Sequence, residues 1–514
     1  MQSRHSLLTP AALVVVLAAC AQGAGTTRAP SADDARADLN AVTSDIMQLP
    51  ITTGSAEARV HFLEGQREAD LQRFLDAHEH FNQAIAADSG FASAYLNAAN
   101  TANSLDEFKT DLALAERHAA GASEAEQLLI RMARQGFDND LSGQLALAEQ
   151  LVDKHRDSPR AWLALAGVQG ALNHTQEARS SLAKALELAP RMFAAHAALG
   201  NSYLFGEPRD FAQALEHMKQ AEALAPSEPG PHDLLGDVYR AQRNLAQAAA
   251  EYTRGHELSP KDAILLQQRG HVNTFLGNYA AARADYDSAI ALGRANEKAA
   301  YAPFRAYVSV YAGDPGAAID ELNQLVANVD SMGVPDPATV KAGALTNVAV
   351  IAIHTRRFPA AEAALKQLAP VLLKQAHAVG TAAFRRTQLA TLTYFDGWLA
   401  ARRGNYVKAL QAADSVTQLV APDSNPRKME PVHQLRGLVA LYAGDYPAAA
   451  LHLDQGNLLD PYIKYQLALA EEGAGNAERA KQLFREVATY NFNNLGFALV
   501  RKEAQQKAGP NTSS

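Results

Sequence analysis

Along most of the chain, small and apolar residues recur at helical steps, and one composite spacing repeats. A small residue is followed twelve positions on by alanine, four further by a large apolar residue, and three further by a small or apolar one. Gly65, Ala77, Phe81 and Ala84 fit, as do Ala166, Ala178, Leu182 and Ala185. So do the sets beginning Gly236-Ala248-Tyr252, Gly270-Ala282-Tyr286, Ala306-Ala318-Leu322 and Ala349-Ala361-Leu365. Gly397, Gly437 and Ala468 open three more, and Gly200 another with two extra residues before Ala214, Met218 and Ala221. Steps of four and three put the last three members on one face of one helix. The step of twelve crosses a turn, punctuated by Leu276-Gly277-Asn278-Tyr279 and Ala443-Gly444-Asp445-Tyr446. The pattern predicts pairs of antiparallel helices. Small residues let the two approach, and the large one is expected to fill the gap between neighbouring pairs. Pro190, Pro226, Pro260 and Pro461 lie five residues past the last member, where a residue without N–H ends the second helix.

The copy Trp162, Leu165, Ala166, Ala178, Leu182, Ala185, Pro190 resembles the tetratricopeptide repeat (TPR), as does Leu235, Gly236, Tyr239, Ala248, Tyr252, Pro260. The resemblance runs from about Ala58 to Tyr490 and implies an all-α fold: a right-handed superhelical solenoid of about twelve TPR or TPR-like helix pairs. Anchors from Ala166 through Gly200, Gly236 and Gly270 to Ala306 are 34 or 36 residues apart, against a family period of about 34. Two degenerate copies are expected near Ala99 and Ala133, with Asp111 and Glu149 standing where small or apolar residues belong. Beyond Ala306 the spacing stretches. We therefore divide the chain into an N-terminal array over 51–333, a C-terminal array with longer helices over 334–490, and a terminal helix and frayed tail over 491–514. The alternative is two solenoid blocks meeting near residue 335. Val334–Pro337 and Ala421–Pro431 read as extended connections.

Composition adds an address. Leu7–Ala19 is an apolar run behind Arg4, too short to span a membrane, and reads as a secretory signal over residues 1–19. It ends Leu17-Ala18-Ala19-Cys20, which resembles the lipobox of bacterial lipoproteins, and Cys20 is the sole cysteine of 514 residues. The resemblance implies acylation of Cys20 and attachment to a membrane. Ala21, in place of Asp, points to an outer-membrane lipoprotein facing the periplasm. The alternative is an ordinary signal cut nearby, with Cys20 discarded. Residues 20–50 read as a flexible tether, with a possible short helix capped near Ser31. A net charge of −8 disfavours nucleic acid as partner. One cysteine excludes an internal disulfide and Cys-based metal sites.

TPR arrays bind mainly on the face of their first helices, at the residue after each anchor and one turn away. Those positions hold Asn97, Asn100, Asn201, Asp233, Asp237, Arg240, Gln267 and His271, then Tyr307, Tyr394 and Trp398. We read the first group as a polar groove for an extended peptide, because amides pair both backbone donors and acceptors. The second group reads as an apolar contact. The alternatives are ordinary solvated helix faces for the first and core packing for the second. The carboxylate clamp of chaperone adaptors is not supported, because Arg134 and Gly167 interrupt the asparagines.

No cofactor, metal or catalytic site is expected. His78-Glu79-His80 is not an HExxH motif. His196, His232 and His271 read as groove or packing histidines, and Asp138-Asn139-Asp140 as a turn. No phosphate loop or nucleophile elbow is found. The reading is a lipid-anchored TPR scaffold for protein or peptide partners. Its alternatives are a TPR lipoprotein of polysaccharide secretion or outer-membrane assembly, and an enzyme with an unrecognised site. The stretch from Leu49 to Gly65 also looks like the TPR regions joined to bacterial signalling kinases or transcription activators, without their effector domains.

Overall fold

The structure is a computed structural model that describes residues 49–509. The signal segment, Cys20, the proposed tether and short helix, and the last five residues lie outside the described residues. Among the described residues there are 25 α-helices and no strand, in two compact units.

The first unit comprises 49–269 and 292–297. It holds α1 (Ala56–Asp70) with α2 (Phe74–Ala87), α3 (Ala92–Asn100) with α4 (Leu105–His118), and α5 (Glu124–Phe137) with α6 (Leu141–Lys154). There follow α7 (Pro159–Ala171) with α8 (Thr175–Leu188), α9 (Phe193–Phe205) with α10 (Phe211–Leu224), and α11 (Pro229–Ala241) with α12 (Leu245–Leu258). Within this unit α2, α4, α6, α8 and α10 each also pack on the first helix of the next pair. Helix α13 (Ile264–Phe275) starts in this residue range and ends in the next.

The second unit comprises 270–291 and 298–509. It contains α14 (Tyr279–Leu292), α15 (Ala295–Tyr311) with α16 (Pro315–Asn328), α17 (Pro337–His354) with α18 (Phe358–Val379), and α19 (Ala382–Arg402) with α20 (Tyr406–Val420). Then come α21 (Glu430–Ala443) with α22 (Tyr446–Leu453), α23 (Pro461–Gly473) with α24 (Ala477–Ala488), and a terminal α25 (Leu495–Ala508). The fold is a helical solenoid of TPR-like repeats, twelve pairs and one closing helix among the described residues. The stretched spacing corresponds to 18, 22 and 21 residues in α17, α18 and α19.

Every anchor lies on a first helix and every alanine twelve further on a second, and those alanines are buried. The large residue, however, fills a different gap from the one expected. It sits over the anchor of its own pair. A Cβ at Gly65 would lie 2.6 Å from the Phe81 ring, one at Gly270 2.9 Å from Tyr286, and one at Gly437 2.6 Å from Leu453 Cγ. The absent side chain is therefore the socket for the partner helix's knob. Gly236 faces the Tyr252 ring in the same way, and Tyr252 cannot swing aside, because its hydroxyl donates to Asp237 at 2.7 Å. Gly236→Val is expected to destabilise by ~2–3 kcal/mol, read as a lowered urea midpoint. Gly167→Ala, with nothing within 4 Å of the new Cβ, is expected to be neutral or stabilising by up to ~1 kcal/mol.

The two degenerate copies are register shifts. In the second pair the buried 4–3 series is Phe108, Leu112, Ala115, nine rather than twelve residues beyond Ala99, because α3 is only nine residues long and ends one residue after Ala99. In the third pair the series ends at Ala148 and Leu151, so its anchor is Met132, one residue before Ala133, and Glu149 is exposed. Asp138–Asp140 is a turn: Asn139 has φ 60°, and Asp140 accepts from Gly143 N at 2.9 Å to cap α6.

Glu126 ties the entering chain to the first unit. Its carboxylate is buried and accepts from Thr52 N (3.1 Å), Thr52 Oγ1 (2.6 Å), Ser93 Oγ (2.8 Å) and Ser123 N (2.8 Å). Ser123 completes a capping box on α5.

Candidate partner-binding site

The first helices present the residues expected to meet a partner, but the structure treats them in three ways. Asn97, Asn100 and Asn201 are half-buried. Asn97 Nδ2 donates to Ser93 O of its own helix at 2.8 Å, and Asn201 Oδ1 is buried without a hydrogen bond.

Asp233, Asp237, Arg240 and Gln267 are buried, so the alternative of an ordinary solvated helix face does not hold for these four. Arg240 pairs with Asp237 and donates to Gln268 Oε1 at 2.9 Å; Gln268 Nε2 donates to Asp233 at 2.9 Å. Burial, and next the charge of Asp237, push the Asp233 carboxyl up from the usual range. Two acids share one arginine in this closed space, and Asp237 Oδ2 is buried without a hydrogen bond.

His271 and the aromatic residues belong to the second unit. His271 Nδ1 lies 2.6 Å from Tyr286 Oη and 3.0 Å from Asn493 Nδ2, and its ring meets Phe304 edge-on at 4.8 Å. Asn493 leads into α25, whose Phe497 packs on Phe275 and Tyr311. Arg501 lies over the Phe275 ring at 4.9 Å and donates to Phe275 O. The protein's own C-terminal segment thus covers part of the first-helix face. Tyr307, Tyr394 and Trp398 are fully buried. Trp398 packs among Tyr394, Phe395 and Tyr462 with tilted and edge-on ring contacts and donates to Tyr442 Oη at 3.1 Å. These three are packing residues here, the alternative left open by the sequence.

His354 adds a pH dependence. Its Nδ1 lies 3.0 Å from Tyr462 Oη, and burial, followed by the charge of Arg402, holds its pKa down at about 4. The unfolded chain, near 6.5, then binds a proton that the folded one refuses. The stabilising contribution is whole above pH ~6.5 and is lost as pH falls towards 4. His354→Gln is expected to flatten that acid limb in thermal melts recorded between pH 7 and pH 4.

The histidines set aside in sequence do not converge on one another. His196 pairs with His217, His232 with Glu251, and His78 with Thr101 and Glu107. What the sequence reading missed is a register. Four residues before the anchor on a first helix, and three after the alanine on the second, the pairs are His61/His80, His196/His217, His232/Glu251 and His433/His452.

Residues 159–192, the α7–α8 pair, match the tetratricopeptide-repeat model. Similar solved structures include the APC/C hetero-tetramer Cut9-Hcn1, at 15% identity over 92% of this chain and 80% of that one, TM-score 0.41. A tetratricopeptide repeat protein from Parabacteroides merdae is 14% identical over 55% and 96%, TM-score 0.33. YrrB, described as a TPR protein with an unusual peptide-binding site, is 17% identical over 35% and 91%, TM-score 0.25. No curated protein matches the chain.

Proposed function

We propose that this protein is a non-catalytic TPR scaffold, anchored through acylated Cys20 and facing the periplasm, that binds an extended segment of a protein partner. The observation that carries the binding half is Asn201. Its side-chain oxygen sits on a first-helix face, out of contact with water and taking no hydrogen bond, where a partner's backbone N–H would complete it. Half-buried Asn97 and Asn100 sit on the first-helix face of the α3–α4 pair and offer further amide edges. The anchor rests on the Leu17-Ala18-Ala19-Cys20 sequence. Among the described residues no helix is long and apolar enough to cross a membrane, so attachment in this reading falls to the lipid.

A photo-crosslinking side chain at position 201 in intact cells is the direct test. The reading expects one discrete protein adduct, absent when the probe is placed at exposed Glu149 instead. Labelled palmitate is expected to enter the chain and to disappear in Cys20→Ser. Equal adducts at both positions, or label that persists in Cys20→Ser, would overturn the corresponding half.

A further inference from the structure

We propose that His61, Glu64 and His80 form a binding site for a divalent transition-metal ion of the zinc type. Helix α1 supplies His61 and Glu64, one turn apart on the same face, and α2 supplies His80 across the pair. Glu64 Oε2 lies 3.4 Å from His61 Nδ1 and 3.3 Å from His80 Nδ1. The three ligand atoms lie within 4.8 Å of one another, the one such convergence of three among the described residues. Zinc binds nitrogen and oxygen at ~2.0–2.1 Å, so two ligands at corners of its tetrahedron stand ~3.3–3.4 Å apart. Both measured separations fall on that edge.

The two nitrogens carry the second part of the argument. His61 Nδ1 and His80 Nδ1 are both shielded from water, and neither makes a hydrogen bond. The imidazoles stack 6.1 Å apart, with 26° between their planes, which turns both lone pairs towards the same carboxylate oxygen. A cation between them satisfies all three groups at once. Two imidazoles and one carboxylate are a donor set that zinc accepts with a water in the fourth position. The side chains are between 26% and 30% exposed, which leaves that position open to solvent.

The repeats supply their own comparison. His196/His217 and His433/His452 occupy the same register, but their Nδ1 atoms approach to 3.1 and 3.2 Å, hydrogen-bond distance for one ring donating to the other. Where the first pair has Glu64, three residues beyond the first-helix histidine, these have Leu199 and Arg436. One lacks a third ligand, and the other replaces it with a cation. The carboxylate converts a recurrent histidine pair into a metal site.

The test uses the full chain carrying Cys20→Ser, so that no free thiol competes. The protein is stripped with chelator and titrated with Zn²⁺ against a chromophoric chelator, and with Co²⁺ to read its visible spectrum. One equivalent is expected to bind, with the intense bands of four-coordinate cobalt. His61→Gln or His80→Gln is expected to weaken binding more than ~100-fold and Glu64→Gln at least ~10-fold, while His196→Gln leaves it unchanged. Zn²⁺ is expected to raise the melting midpoint of the parent and of His196→Gln, but not of His61→Gln or His80→Gln. Circular dichroism and melting in chelator show that each variant is folded; a variant that is not is replaced by the Asn substitution at the same position. No binding by the folded parent, binding undiminished in the His61/His80 double variant, or equal loss in His196→Gln would overturn the proposal.

Discussion

Trp398→Ala is expected to lose ~3–5 kcal/mol of stability, the cost of emptying a fully buried aromatic site that its neighbours cannot refill. Tyr394, Phe395 and Tyr462 surround the indole from α19 and α23, and its N–H is held by Tyr442 of α21. Collapse around the void would have to move three helices together. Trp398→Phe keeps most of the ring area but abandons the Tyr442 bond, so a loss of ~1–2 kcal/mol is expected. Urea unfolding followed by circular dichroism measures both. If Trp398→Ala shifts the midpoint no more than Trp398→Phe, the indole is not the centre of that cluster.

Glu126→Ala is expected to cost ~3 kcal/mol or more, because four donors converge on one buried carboxylate and hydrogen bonds to a charged group contribute ~1.5–3 kcal/mol each before water substitutes for some of them. The loss has a location. Thr52 precedes the first helix, Ser93 is on α3, and Ser123 caps α5, so the variant is expected to release residues 49–55 to proteases while the second unit keeps its resistance. Glu126→Gln retains the acceptor oxygen and is expected to lose less. Cleavage at 49–55 no faster than in the parent would show that the clamp is dispensable.

Much of the fold was legible because the determining interactions are local. A glycine or alanine, a turn, and an alanine twelve residues on lie within one helix pair, so the spacing alone reports the packing. Asn139, Asn173 and Gly444 stand in intrapair turns with positive φ, which asparagine and glycine adopt with little strain. The copies near Ala99 and Met132 were blurred because a first helix that ends early in one and a shift of one residue in the other break a fixed spacing without disturbing the 4–3 rhythm. The candidate site was less legible. Asn201 and Asp237 both follow a glycine anchor in adjacent pairs, but Asn201 is half-buried with its amide oxygen unpaired, while Asp237 is fully buried with Oδ1 held by Arg240 and Tyr252. Nothing in the local pattern separates them.

The order of helices, their pairing, the length of each repeat and the lipobox-like Cys20 are properties of the sequence by itself, because each depends on residues a turn or a short connection apart. Which first-helix residues remain available was decided only by tertiary structure. The side chain of Asn493 reaches His271 across more than two hundred residues of chain, and α25 covers Phe275 and Tyr311. His61 and His80 acquire a shared carboxylate only when α1 and α2 close on each other. Burial and convergence are set by what lies opposite in space, and the distance along a chain carries no record of that.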